Sequence, residues 1–225
     1  MAELTIAASR SARAGASWKR GSTDLKEEIM ATVEQQKEAT PTGARLPDMT
    51  RFVDFLEAQK AATQNPKHAA MIDLLIEHSV AEVRDHDIDR TMATLVQDCV
   101  YHNYGDPEMV ERQGGRVIER DVVRANYLAN MANGTLEMDA LEVDVEHFFI
   151  NDDAIAWDGY TRFRLPGAAL AEAGVPLPDG GTAEDVYVQT TRAVIVIPFR
   201  DGLMVGEDFY FDGSGTLGKA ASGSD

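Results

Sequence analysis

The hydrophobic pattern changes its period along this chain, and that change constrains the fold more than any other feature. Before Asn133-Gly134, apolar residues recur mainly every 3.6 positions, as they do on one face of a helix. After it they alternate with polar residues at every second position, as they do in a strand with one buried face. Helices followed by a run of strands predict an α+β fold.

The first part of this pattern predicts helices interrupted by one strand. The first helix of the main domain carries Leu75 and His78 on one apolar stripe, and we interpret His78 as a core residue. Asp87 is placed to open a shorter helix, and residues 119–131 form the next one. Between them, the β-branched and aromatic run CVYHNY, residues 99–104, is typical of a strand.

The second part predicts antiparallel hairpins. Residues 141–150 and 154–165 flank Asn-Asp-Asp, whose side chains suit a tight turn. Residues 186–199 and 203–211 flank Arg-Asp-Gly in the same way. The Gly-, Pro- and Ala-rich stretch 166–184 is interpreted as an inserted flap. The prediction is a curved antiparallel sheet with helices across its open face and a cavity between the layers.

Four zones follow from these patterns. Residues 1–22 are predicted to be a flexible N-terminus, 23–66 a helical extension, 67–212 the α+β domain and 213–225 a flexible tail. The extension contains two predicted helices, of which the second spans residues 48–62. They could close over the main domain or pack on a second subunit, and the sequence leaves both open.

Charge and cysteine content exclude several classes of function. The formal net charge of −17 disfavours nucleic acid and anionic membrane surfaces as partners. Cys99 is the only cysteine, which excludes an internal disulfide and fits a reducing compartment, so a cytoplasmic location is expected. No apolar run is long enough for a membrane helix, and the first residues lack the apolar core of a secretory signal. The five scattered histidines form no zinc motif, and neither a metal nor a cofactor is predicted.

Three phrases resemble the nuclear transport factor 2-like (SnoaL-like) superfamily. They are HDIDRTMATLVQDCVYHN, ERDVVRANYLANM and VIVIPFRDGLMVGEDFYFD, which match the helix-to-strand opening, the third helix and the closing hairpin. The resemblance covers about residues 67–212 and implies a cone-shaped α+β domain with a pocket for a small hydrophobic molecule. It also implies a homodimer or higher homo-oligomer. The superfamily contains enzymes and plain binding modules, so the fold alone fixes no activity.

Single branches of the superfamily imply different site residues. Tyr101-His102-Asn103 resembles the Tyr-x-Asn that holds the attacking water in limonene epoxide hydrolase, but the Asp–Arg–Asp set of that branch is incomplete here. Glu146-His147-Phe148 resembles the histidine phrase of scytalone dehydratase. The ketosteroid isomerase branch would place its base at Asn103 and its proton donor at Ser79, and neither side chain suits that role.

The resemblance and the strand patterns together nominate eight site residues. The predicted catalytic residues are His147, Tyr101, Asn103 and Asp158. The predicted substrate-binding residues are Tyr160, Arg192, Tyr127 and Phe209. Five of them have a structural alternative. Asn103 can be a plain hydrogen-bonding residue, Tyr101 part of the core, His147 a core or surface residue, Asp158 a solvated strand charge, and Arg192 an ion-pair partner of Asp158 or another acid.

The predicted function is a cofactor-independent lyase or dehydratase. Its substrate would be a small hydrophobic hydroxylated molecule, aromatic, polyketide-like or terpenoid, with lignin-derived compounds among the examples found in the superfamily. His147 would move the proton while Tyr101 and Asn103 orient the leaving oxygen. Two alternatives stay open: an epoxide hydrolase, and a ligand-binding or assembly module without chemistry.

Overall fold

The computed structural model describes residues 45–105, 107–112, 114–132, 134–172, 174–178, 180–213 and 215–221. These residues all belong to one compact unit that begins at Gly43. The predicted flexible N-terminus and the first predicted helix, residues 24–39, lie outside the described residues. None of the described helices is both long enough and apolar enough to cross a bilayer.

The predicted helices and strands occur in the predicted order, and the structure adds short elements at Pro107–Arg112, Val117–Glu119, Gly167–Glu172 and Thr216–Lys219. The helices are α1 (Thr50–Ala62), α2 (Pro66–Val83), α3 (Ile88–Ala93), α4 (Pro107–Arg112), α5 (Arg120–Ala132) and α6 (Gly167–Glu172). The strands are β1 (Val100–Tyr104), β2 (Val117–Glu119), β3 (Leu141–Ile150), β4 (Ala154–Pro166), β5 (Val186–Arg200), β6 (Leu203–Met204), β7 (Asp208–Phe211) and β8 (Thr216–Lys219).

Local side-chain chemistry sets several of these boundaries. Asn65 accepts a hydrogen bond from the backbone N–H of Lys67 and begins α2, with Pro66 at its first position. Asp87 caps α3 in the same way, as predicted. In the turn between β3 and β4, the Asn151 side-chain oxygen accepts from two successive backbone N–H groups, so the predicted hairpin is confirmed.

The strands form one open sheet in the order β2-β1-β7-β5-β4-β3, with β6 and β8 also paired to β5. All described pairings are antiparallel except that of β1 with β7. The parallel pair arises because β7 joins the sheet between β5 and β1. The α+β class, with an open and mainly antiparallel sheet and helices packed against it, is therefore confirmed.

Helix α1 belongs to the same core as the sheet. Phe52 and Leu56 are buried on its inner face, and the Phe52 ring lies 5.3 Å from the ring of Trp157 on β4. The sequence assigns this helix to an extension and leaves open whether it packs on the α+β domain or on a second subunit. Its apolar face packs on the domain, because Phe52 and Trp157 are buried against each other.

A buried carboxylate fastens the chain before α1 to the sheet edge. The Glu142 side chain on β3 is 1% exposed and accepts hydrogen bonds from the backbone N–H of Asp48 (3.0 Å) and from Arg162 Nη1 (2.9 Å). Arg45 forms an ion pair with the same carboxylate. Because an unpaired buried charge is costly, these partners tie residues 45–48 to β3.

Two segments differ from the sequence prediction. The tail is not uniformly loose, because Thr216–Lys219 forms β8 and pairs with Tyr187–Thr190 of β5. The expected flap contains α6, in which Gly167 and Leu170 are buried. The strand β8 pairs with a part of β5 that extends beyond the residues paired with β7.

Candidate functional site

A cavity of about 410 Å³ lies between the helices and the inner face of the sheet. Its walls are mainly apolar, and the phenylalanine and tryptophan members are Phe52, Trp157, Phe163, Phe209 and Phe211. A space of this size, lined by apolar groups with a few polar ones, is typical of a site for a small organic molecule.

Five polar side chains meet on one wall of this cavity. His78 and Glu82 project from α2, Tyr101 from β1, Tyr127 from α5, and Glu207 from the loop before β7. His78 and Glu82 share a wall because they are four residues apart on one helix. Tyr101 and Asn103 share the inner face of β1 because they are two residues apart on one strand. We refer to the five side chains as the polar cluster.

Short contacts join the members of the polar cluster. The Tyr101 and Tyr127 hydroxyls are 2.7 Å apart, and the Tyr127 hydroxyl is 3.1 Å from His78 Nε2. The Tyr101 hydroxyl also donates to Glu207 Oε1 at 3.4 Å. His78 Nε2 lies 3.5 Å from Glu82 Oε2 and 3.7 Å from Glu207 Oε1. One imidazole nitrogen thus faces both carboxyl groups.

The hydrogen bonds around Thr94 fix the tautomer of His78. The Thr94 hydroxyl donates its single proton to the Thr91 carbonyl at 2.7 Å. It can therefore only accept from His78 Nδ1, 2.6 Å away, so the proton of the neutral imidazole is on Nδ1. Burial lowers the pKa of His78 to about 4, so at neutral pH the ring is uncharged and Nε2 presents a lone pair to the cluster.

Burial raises the pKa of the two carboxyl groups, whereas it lowers the pKa of His78. It raises the pKa of Glu207 to about 7, although the Tyr101 hydrogen bond opposes the rise. The pKa of Glu82 is raised well above its usual value by burial and, secondarily, by the charge of Glu207. Near pH 7, Glu207 therefore populates both protonation states, and the same burial favours the protonated form of Glu82.

The two tyrosines act as hydrogen-bond donors. Burial, followed by the neighbouring carboxyl groups, raises the pKa of Tyr101 and of Tyr127 well above the usual value, so both hydroxyls keep their protons. Each hydroxyl has a single proton: that of Tyr127 faces the lone pair of His78 Nε2, and that of Tyr101 faces Tyr127 or Glu207. A polar oxygen of a bound molecule would compete for these protons beside a carboxyl group that exchanges protons near neutrality. This arrangement can perform general acid–base chemistry.

Four of the eight residues nominated by the sequence line the cavity: Tyr101, Asn103, Tyr127 and Phe209. Asn103 is 3% exposed, and its side-chain amide donates to the Gly115 carbonyl at 3.0 Å. Its backbone N–H donates to the Arg116 carbonyl at the same loop. Asn103 thus holds the loop before β2, which matches the structural alternative stated for it.

The other four nominated residues lie on the opposite, outer face of the sheet. Arg192 binds Asp158 through two nitrogens, at 3.1 and 2.8 Å, so the interpretation of this residue as an ion-pair partner is confirmed. Tyr160 lies under the Arg192 guanidinium, 5.6 Å from ring centre to Cζ. The His147 side chain is 63% exposed, with Nδ1 3.4 Å from Asp158 Oδ2. The expectation that His147 lies on the cavity wall beside Asn103 is wrong.

A β-bulge explains the position of His147. Val143 and Val145 are each less exposed than the residue that follows, Asp144 and Glu146, and Val143 lines the cavity. The register with β4 then shifts between Val145 and His147, which moves every following residue to the other face. Simple alternation would have placed His147 inside.

Asp158 differs from the sequence expectation as well. The sequence left its face open: turned to the cavity, Asp158 would have a raised pKa and be a candidate base, and turned outward it would be a solvated strand charge. Burial does raise its pKa, but the hydrogen bond and charge of Arg192, aided by His147, outweigh burial and hold that pKa below the usual value. An aspartate of this kind is a settled ion-pair partner and a poor base.

The outer face also brings together three groups that could in principle ligate a metal: Glu146, His147 and Asp158, with ligand atoms within 4.8 Å of one another. Arg192 Nη2 lies 3.2 Å from Glu146 Oε2 and 2.8 Å from Asp158 Oδ2. The guanidinium therefore already supplies the positive charge that a metal ion would bring.

Sequence reasoning missed three members of the polar cluster. It assigned His78 to the core, which is correct for its burial, but gave it no role. Glu82 carried a usable signal, since a glutamate seven residues after Leu75 continues the apolar stripe of α2. Glu207 carried none, because it lies in an irregular segment before β7 whose direction only the tertiary fold determines.

Fold and site together define an α+β protein with a buried acid–base cluster on the wall of an apolar cavity. No family model matches the sequence, and no curated protein matches it. Solved structures do match, and several of them are described as SnoaL-like or NTF2-like proteins.

Three of these solved structures illustrate the likeness. A protein described as a SnoaL-like polyketide cyclase from Shewanella putrefaciens is 15% identical over 77% of this chain and 93% of its own, with a TM-score of 0.48. TerC co-crystallised with polyporic acid is 17% identical over 64% and 92%, with a TM-score of 0.42. SalBIII, an epoxide hydrolase/cyclase-like enzyme in salinomycin pyran-ring formation, is 11% identical over 66% and 95%, with a TM-score of 0.42. At such identities and scores the likeness says nothing about the reaction, so function must be argued from the cavity.

Proposed function

We propose that this protein is a cofactor-independent lyase or dehydratase of a small hydrophobic molecule that carries a hydroxyl group. The single observation that supports this most is Glu207. Its carboxyl group lines the cavity, accepts a hydrogen bond from Tyr101, and has a pKa raised to about 7 by burial. A general acid–base group works best when its pKa is close to the working pH.

In this proposal Glu207 moves one proton twice. Its carboxylate takes a proton from the carbon next to the one that bears the hydroxyl, and the released electron pair forms the carbon–carbon double bond. The carbon–oxygen bond breaks, and its two electrons leave with the hydroxyl group. That group takes the same proton from Glu207 and departs as water. Both the charge and the protonation state of the protein are then restored, and no further reactant is needed.

The two tyrosines would position the substrate for this step. The Tyr101 and Tyr127 hydroxyls are 2.7 Å apart, and both could donate to one substrate oxygen if each turned its single proton away from its present acceptor in the polar cluster. A carbonyl oxygen held there would gain negative charge as the carbon loses its proton, and the two donors would stabilise that charge. The aromatic walls would hold the carbon skeleton and exclude bulk water.

The alternatives gain less support from the described residues. A cavity filled by the protein's own side chains would favour an assembly module, and this cavity is open. A ligand-binding module without chemistry also has an open cavity, and His147 does not line this one, so turnover is what separates that alternative from an enzyme. An epoxide hydrolase of the resembled branch would use Asp158, which faces the other side of the sheet and is bound by Arg192. The acid–base reading therefore relies on the polar cluster and not on the residues nominated by branch resemblance.

The test is a turnover assay with a panel of hydroxylated aromatic, terpenoid and polyketide-like compounds, followed by mass spectrometry for the loss of one water. Glu207→Gln should lower turnover by about 10²–10⁴-fold, because the amide neither takes nor gives a proton. Glu119→Gln, on an exposed position of β2, is the matched control and should leave turnover unchanged.

Full activity of Glu207→Gln would remove Glu207 from the mechanism. A parallel incubation of cyclic epoxides in ¹⁸O-labelled water separates the hydrolase alternative. A labelled diol would favour epoxide hydrolysis over dehydration.

A further inference from the structure

The proton transfer proposed for Glu207 leaves Glu82 without a role. Glu82 lines the same cavity, and 15% of its side-chain surface is exposed. Its Oε2 lies 3.5 Å from His78 Nε2, and that ring is uncharged at neutral pH because burial lowers the pKa of His78 to about 4. Among the described residues, no lysine or arginine lines the cavity. The described lining therefore offers two carboxyl groups and no basic side chain of lysine or arginine that could pair with a ligand anion.

The aromatic side chains add a second preference of the same sign. Tyr101, Tyr127, Trp157, Phe52 and Phe209 all line the cavity. The faces of aromatic rings attract cations and repel anions because of the ring quadrupole. A ligand carboxylate would meet two carboxyl groups and these rings without any cation, whereas a protonated amine would gain from both.

We propose that the cavity binds a hydrophobic amine in its protonated form, with Glu82 as the partner of the ammonium group, and that it rejects anionic ligands. This inference names the substrate class of the site and rests on the proposed function only in taking this cavity as the binding site. The substrate would then be a hydroxylated hydrophobic amine. Its ammonium group would pair with Glu82 while Glu207 serves the carbon that loses the proton.

Pairing with the ligand would also change the charge of Glu82. Without a ligand, burial and, secondarily, the charge of Glu207 raise the pKa of this carboxyl well above its usual value and favour its protonated form. An ammonium group at hydrogen-bond distance favours the ionised carboxylate, so binding should release a proton to the solvent. A neutral ligand should cause no such release.

The experiment compares three ligands that share one apolar group: naphthylethylamine, naphthylethanol and naphthylpropionate. Their dissociation constants are measured at about pH 7.5 by isothermal titration calorimetry, in two buffers of different ionisation enthalpy. The amine should bind at least about tenfold more tightly than the alcohol, because a charge-assisted hydrogen bond is stronger than a neutral one. The carboxylate should bind most weakly, and only the amine should show proton release.

Variants locate the preference. Glu82→Gln should remove the advantage of the amine while it leaves the affinity for the alcohol, which also shows that the cavity is intact. Glu119→Gln should leave all three affinities unchanged. Equal binding of amine and alcohol by the unmodified protein would overturn the inference, and so would an advantage of the amine that survives in Glu82→Gln.

The outcomes separate this inference from the proposed function. If the alcohol binds, the amine has no advantage and Glu207→Gln still abolishes turnover, the amine preference is wrong and the lyase proposal stands. If the amine preference depends on Glu82 but Glu207→Gln turns over normally, the reverse holds. Failure of all three ligands to bind would count against both.

Discussion

Replacing Glu207 by glutamine should stabilise this protein at alkaline pH and have little effect in acid. Burial raises the pKa of this carboxyl from 4.5 to about 7, so the folded protein keeps its proton over a range in which the unfolded chain loses it. The group therefore supports the folded state below about pH 4.5, and that support is lost as the pH rises through about 7. The pKa values of the unfolded and folded states differ by about 2.5, and each pKa unit corresponds to about 1.4 kcal/mol, so the loss amounts to about 3 kcal/mol.

The assay is urea unfolding of the two proteins between about pH 4.5 and about pH 8. The difference in free energy of unfolding, Glu207→Gln minus unmodified protein, should grow by about 3 kcal/mol over this range, because the amide has no charge to bury. Glu119→Gln, whose side chain is exposed, should show a constant difference. A difference for Glu207→Gln that does not change with pH would refute the argument that the cavity keeps this carboxyl away from water.

Three further predictions follow from named contacts. Thr94→Val should leave the Nδ1–H of His78 without its acceptor and lower the free energy of unfolding by about 1–3 kcal/mol. In ¹⁵N NMR spectra His78 should then populate both tautomers, whereas Thr94→Ser should keep the stability and the Nδ1–H tautomer. An unchanged tautomer in Thr94→Val would contradict the assignment. Gly159→Ala should lower the free energy of unfolding in urea by about 1–3 kcal/mol, because a Cβ there would overlap the carbonyl oxygen of Asp144. Equal urea midpoints for the variant and the unmodified protein would disprove the close approach of Gly159 to Asp144. His147→Ala should leave the affinity for naphthylethanol unchanged within about twofold in calorimetry, and a larger loss would restore the sequence prediction for this residue.

The sequence predicted most of the fold because its elements carry their own local signals. The helix α2 has an apolar stripe and a capping residue, and the turn between β3 and β4 has Asn151 in the position that a tight turn requires. The strand Thr216–Lys219 was missed because its four residues show no apolar alternation. It forms because β5 extends beyond β7 and offers unpaired backbone groups, which is a property of the neighbouring strand and not of the tail.

The candidate site was predicted where alternation is regular and missed where it breaks. Tyr101 and Asn103 lie two apart on an uninterrupted strand, so both were placed correctly on the cavity side. The bulge after Val145 reverses the faces of β3, and no single residue in the sequence announces it. Glu207 was missed for a different reason, since its environment is built by α2, β1 and α5, which are far away along the chain.

The attachment of residues 45–48 to Glu142 has a practical consequence for anyone who shortens this protein. Met49 and Phe52 form part of the cavity wall. The Asp48 backbone N–H and Arg45 are two of the partners of the buried Glu142 carboxylate. A version trimmed to the stretch that resembles known superfamily phrases would begin after α1. It would expose the Trp157 ring to water, leave Glu142 with fewer partners, and open the ligand space on one side before any ligand was added.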